Sequence, residues 1–132
     1  MGVCDLEMSN WMTQITQRIR DKKCIVCGSN ASGLCNSFPL CTSDDIVLNR
    51  RIQKAESYAH TTFEAGISTA REICIDSPTP ENAASFILVE YGGYRGMVKY
   101  LHPPEIELLE EKFPQVIRYL HEWDSISQNA DD

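Results

Sequence analysis

Between Cys4 and Lys23 the apolar residues Leu6, Met8, Trp11, Met12, Ile15 and Ile19 recur mostly at three- and four-residue steps. That is the period of a helix with one buried face, and it predicts an N-terminal helix within residues 1–23. The pattern then lapses. Residues 24–42 are rich in Gly, Ser, Asn and Cys, with too few apolar positions for a core of their own, so something else must order them. Ser43, Asp44 and Asp45 are a helix start, since Ser caps free N–H groups and two acids suit the positive end of the dipole. From there Leu48, Ile52, Ala55, Ala59, Phe63, Ile67, Ala70 and Cys74 continue a single stripe, which predicts one long helix over 43–75. Gly66 is its weak point, costing about 1 kcal/mol relative to Ala.

The segment DSPTPE (76–81) stops that helix and supplies Thr79 as cap, Pro80 in the first turn and Glu81 as an early acid. A helix over 80–91 follows. The alternative is a hairpin over 86–101 turning at Gly92 and Gly93, because the run Phe86 to Val89 suits a buried strand as well as a buried helix. Pro103 and Pro104 open a helix over 104–112, and Pro114 either kinks it or begins another carrying Val116, Ile117, Leu120 and Trp123. The tail SISQNADD is expected to fray. The expected fold is mainly α: one domain over 1–132, with a Cys-rich zinc-finger module (24–45) between the first and second helices and an acidic helical lobe (78–127). The hairpin alternative would make it α+β.

Composition changes this picture little: 42% hydrophobic and 23% charged residues in 132 are ordinary for a folded chain and argue against wholesale disorder. Charge changes it more. Residues 1–66 carry seven acids and seven bases, whereas 67–132 carry twelve acids and five bases, so the whole net charge of −7 lies in the second half. That half should repel a phosphate backbone. The opening MGVCDLEMSN has two acids and no apolar run, and no later stretch approaches membrane-spanning length, which predicts an intracellular protein outside the membrane. Leu6 stands where a myristoylation signal on Gly2 would want Ser or Thr.

Four of the six cysteines fall within eighteen positions, as Cys24-x2-Cys27-Gly28, Cys35 and Cys41. In a reducing compartment such clusters bind metal more often than they form disulfides. Four thiolates from Cys24, Cys27, Cys35 and Cys41 would close a tetrahedral Zn2+ site. An alternative set replaces Cys35 with Asp44, which forms an x2 pair with Cys41 at the start of the long helix. In that arrangement residues 22–60 resemble a treble-clef zinc finger, a C-x2-C-G knuckle followed by a second ligand pair entering a helix through PLCTSD. The resemblance implies a structural zinc used to bind protein or nucleic acid; Asp44 departs from the Cys or His usual at its position. Cys4 and Cys74 read as core thiols.

Nothing in the chain predicts an enzyme. His60, His102 and His121 are scattered, and no H-E-x-x-H, deaminase pair or Gly-rich phosphate loop is present. The segment GGYRG reads as a turn with exposed tyrosines, and Glu105, Glu107, Glu110 and Glu111 as a solvated helix face. The expected function is a small zinc-binding regulatory or adaptor protein acting on another protein. The alternative is a nucleic-acid-binding regulator whose Arg18, Arg20, Lys22, Lys23, Arg50, Arg51 and Lys54 gather around the finger. The long stripe also admits a homodimer.

Overall fold

The computed structural model describes residues 9–61 and 68–131. Among these, seven helices surround a core centred on one of them, with a two-stranded hairpin set between the first and second. The order is α1 (Asn10–Arg20), β1 (Gly33–Cys35), β2 (Phe38–Leu40), α2 (Thr42–Thr61), α3 (Thr69–Asp76), α4 (Pro80–Tyr91), α5 (Tyr94–Tyr100), α6 (Pro103–Lys112) and α7 (Pro114–Asp131). The molecule is thus mainly helical with a small module near the N-terminus.

The central helix is α4, and its ends follow from the sequence. The Thr79 side chain accepts from Asn82 N–H, Pro80 occupies the first turn, and Gly92 closes the helix at φ 86°. Every residue from Ala83 to Val89 is buried, and a helix that is apolar all round belongs in the interior. The hairpin alternative over 86–101 is therefore overturned. The glycines of GGYRG serve a helix junction. A Cβ on Gly93 would collide with the Asp124 carboxylate, which accepts from Tyr94 N–H (3.2 Å) and Arg95 N–H (2.9 Å), and a Cβ on Gly96 would lie 1.7 Å from the Tyr91 carbonyl oxygen. Tyr94 is half-buried, its ring over His121 at 4.0 Å and its hydroxyl donating to Glu110. Pro114 begins a separate helix, α7, which continues through the tail expected to fray.

The predicted continuous helix over 43–75 is two helices. Ser68 has extended backbone, φ −65° and ψ 159°, and caps α3 by accepting from Arg71 N–H. α3 returns along α2, so that Lys54 of α2 reaches Glu72 (3.1 Å) and Asp76 (3.3 Å), while Arg51 reaches Ser77 and lies 4.7 Å over the Phe86 ring. The periodic stripe survives the reversal because both arms face the same core: Leu48, Ala55, Ala70 and Cys74 are all buried. Gly66, Phe63 and Ile67 lie outside the described residues, as do Leu6, Met8, the Cys4 thiol and the His60 and Ala59 side chains.

α1 is anchored by Ser9, whose hydroxyl accepts from Met12 N–H and donates to Glu122 of α7. Its buried face carries Trp11, Met12 and Ile15. Trp11 stacks on Tyr119 at 5.2 Å and donates its indole N–H to the Ser85 hydroxyl at 3.0 Å, which joins α1, α4 and α7. The hairpin was not predicted. Its two-residue turn, Asn36 and Ser37, has φ of 52° and 77°, the left-handed pair that matches the twist of the flanking strands. Asn36 Nδ2 donates to the Val89 carbonyl at 2.8 Å, satisfying one of the last-turn carbonyls of α4, and Phe38 packs edge-on against Trp123 at 5.6 Å.

Candidate metal centre

The site is assembled from a turn and a helix start. In the knuckle, Cys24 N–H donates to Ser29 O (2.7 Å) and Gly28 N–H to Cys24 O (2.8 Å), with Gly28 at φ 81°. This tight loop turns the Cys24 and Cys27 side chains to one side. Arg18 of α1 holds it from beneath, its Nη1 donating to the carbonyls of Ile25 (3.0 Å) and Val26 (3.2 Å). Ile25 and Cys24 are fully buried, so the knuckle shares the main core through these two residues.

The second half comes from the entrance to α2. The helix begins at Thr42, so the capping residue is Cys41 rather than the predicted Ser43. Its carbonyl accepts from Asp45 N–H (3.0 Å) and its Sγ from Asp44 N–H (3.4 Å).

Cys24, Cys27, Cys41 and Asp44 meet in one cluster, with one ligand atom from each lying within 4.8 Å of the others. Cys27 Sγ is 3.7 Å from Cys41 Sγ, and Asp44 Oδ2 is 3.1 Å from Cys24 Sγ and 3.3 Å from Cys41 Sγ. Two sulfurs at about 2.3 Å from a tetrahedral Zn2+ would stand about 3.8 Å apart, and a sulfur and a carboxylate oxygen about 3.5 Å. The donor set fits such an ion. Burial pushes the Cys24 thiol up to about 12, and the hydrogen bond to Asp44 adds to the effect. A divalent cation reverses that balance, because its own charge outweighs both. This is the one group of three or more potential ligands among the described residues.

Cys35 is outside it. It lies half-buried in β1, where burial followed by the nearby Asp45 and Glu90 carboxylates pushes its thiol up. The four-thiolate set over Cys24, Cys27, Cys35 and Cys41 is therefore not the one brought together; the set with Asp44 in place of Cys35 is. The physical reason is the hairpin turn at 36–37, which carries Cys35 away on β1 and returns only Cys41. Cys74 is a buried thiol, pushed up to about 12 by desolvation and then by Glu105.

The seven basic residues differ in what they engage. Arg18 is committed to the knuckle, Lys23 to Asn30, Arg51 to Ser77 and the Asp76 carbonyl, and Lys54 to Glu72 and Asp76. Arg20, Lys22 and Arg50 are exposed. Sequence reasoning missed the structural part played by Arg18, and no periodicity signals it, since its partners are backbone atoms across a turn. The same is true of Asn36, although an Asn at the head of a two-residue turn is a recognisable hairpin sign.

Comparison with protein-family profiles, with curated proteins and with solved structures finds no match. Among the described residues no helix is long and apolar enough to cross a membrane.

Proposed function

We propose that this chain is a non-enzymatic adaptor or regulatory protein, in which one structural Zn2+ held by Cys24, Cys27, Cys41 and Asp44 fixes a small module on a helical platform for binding another protein. The observation that carries this reading is the Cys27–Cys41 sulfur separation of 3.7 Å, the edge expected of a zinc tetrahedron, in a cluster whose fourth corner is filled by Asp44. Three sulfurs and one oxygen would complete a tetrahedral coordination shell. That would leave no position for a substrate or an activated water, which favours a structural ion over a catalytic one.

Placement of charge supports a protein partner over nucleic acid. Of the seven bases in the first half, Arg18, Arg51 and Lys54 are already engaged by partners within the chain, and the second half carries a net charge of −7. Phosphate contacts would have to come from the remaining bases against that repulsion.

Elemental analysis of the purified chain tests the reading. One zinc per chain is expected, retained in Cys35→Ser and lost in Cys27→Ser and Cys41→Ser. Zinc lost equally from Cys35→Ser would overturn the ligand set. Retention on DNA or RNA that falls steeply across a salt series would favour the nucleic-acid alternative.

A further inference from the structure

The hairpin has one satisfied edge and one open edge. β2 is bonded on both sides, to β1 and, through the Pro39 carbonyl, to Ile25 N–H at 3.1 Å. β1 has β2 alone. The two-residue turn makes Cys35 and Phe38 the pair that exchanges hydrogen bonds, so the next pair, Leu34 and Pro39, is of the non-bonded kind. Leu34 accordingly points its N–H and C=O away from β2, into solvent. Leu34 itself is 74% exposed, so its side chain is available to a strand laid along this edge.

The two faces of this edge differ chemically. On the Leu34 and Pro39 face, Ile19, Ala31 and Lys22 complete a groove of about 450 Å³. On the opposite face Leu40, Thr42 and Asp45 surround a smaller hollow of about 180 Å³ beside Cys35. Lys22 is itself held at φ 59°, immediately after α1, at a position where helices usually place Gly. A backbone strained to carry an exposed ammonium, where Gly would relieve it, points to a use for that charge.

We propose that β1 receives an extended segment of another protein as a third strand, with an aliphatic residue laid against Leu34, Pro39 and Ile19 and a carboxylate two positions away facing Lys22. The spacing of two follows from the pleat, since alternate residues share a face. Main-chain bonds to Leu34 supply register, and the two faces supply selectivity. Asp45 on the far side disfavours an acid at the intervening position. This inference rests on the reading that the ion holds the hairpin in place.

The test is selection of random twelve-residue peptides on the zinc-loaded full chain, with zinc content measured on the same preparation. Selected peptides should share an aliphatic residue with Asp or Glu two positions away. A synthetic representative should lose roughly tenfold in affinity against Leu34→Ser, the effect of losing one buried aliphatic contact. Leu34 is exposed, so that variant should keep its helicity and metal. Lys22→Gly should match or exceed the wild-type melting temperature, since Gly suits the positive φ, yet bind more weakly. Lys22→Glu should shift selection from acidic toward basic residues. No enriched peptide, or binding indifferent to Leu34→Ser, would overturn the proposal, as would a Leu34-dependent dimer in sedimentation, which makes a second copy the occupant. Bound zinc with no selected peptide refutes strand addition alone; a metal-free chain refutes the reading it rests on.

Discussion

The knuckle-and-hairpin module and helix α4 lie side by side, joined through Asn36 and the Val89 carbonyl, and they reach order by opposite means. α4 buries seven consecutive residues, Ala83 to Val89, and is held by apolar contact with the helices packed around it. The module contributes Cys24, Ile25, Pro39 and Leu40 to the buried interior and leaves most of its remaining residues in solvent. Where a segment cannot remove enough apolar surface from water to offset the entropy of ordering it, a cation with several ligands can stand in. On the proposed reading the same chain has one region held by packing and another that would be held by an ion.

The strongest way to break that contrast is to remove the ion. Chelation, or Cys24→Ser, should cost the module at least about 5 kcal/mol, less than the about 10–16 kcal/mol of isolated zinc peptides because the core still holds Ile25. Hydrogen exchange should show protection lost over 24–48 while α4 keeps its protection; equal loss in both would mean that the two regions are not separable. The converse experiment attacks the packed side. Gly96→Ala places a carbon 1.7 Å from the Tyr91 carbonyl oxygen, and the α4–α5 junction should lose about 3 kcal/mol in denaturant titration with zinc content unchanged.

A smaller effect tests the joint between α1 and α4. Ser85→Ala leaves the buried Trp11 indole N–H without its acceptor and should cost about 1–2 kcal/mol, read by tryptophan fluorescence during unfolding. The smallest effect is electrostatic. Burial, and then a hydrogen bond with Asp76, push the Glu72 carboxyl up, while that bond holds Asp76 down. The folded Glu72 binds its proton more tightly than the unfolded one, so its contribution is complete below the ordinary glutamate range and is lost as pH rises through the elevated folded value. Asp76 has the opposite sign: its contribution is present above the ordinary aspartate range and is lost as pH falls through the depressed value. In Glu72→Gln the first slope should vanish from stability measured against pH.

These two regions also differ in how far the sequence discloses them. Gly92, which closes α4, suited a hairpin turn equally well, whereas the start of the helix could be read almost to the residue from the local signals Thr79, Pro80 and Glu81. The knuckle was legible for the same reason: C-x2-C-G is a turn whose chemistry lies in adjacent residues. Cys35 was not, because its exclusion depends on Asn36 and Ser37 reversing the chain, and a three-residue strand leaves too short a pattern to detect. The reversal between α2 and α3 was hidden by its own success, since two helices that pack the same stripe against one core preserve the spacing of a single helix. Arg51 and Lys54 looked free because their partners stand far along the chain: Glu72 and Asp76 of α3 for Lys54, and the Asp76 carbonyl and Ser77 hydroxyl for Arg51.

Cys41 is both the first anchor of α2 and one corner of the cation's cage. A helix of twenty residues is about 30 Å long, so the sulfur stands at one end of a rod whose middle carries the Arg51 and Lys54 contacts to α3. If the cluster holds zinc as proposed, its loss would loosen the first turn of α2 at one end of the same helix that clasps α3 through Arg51 and Lys54.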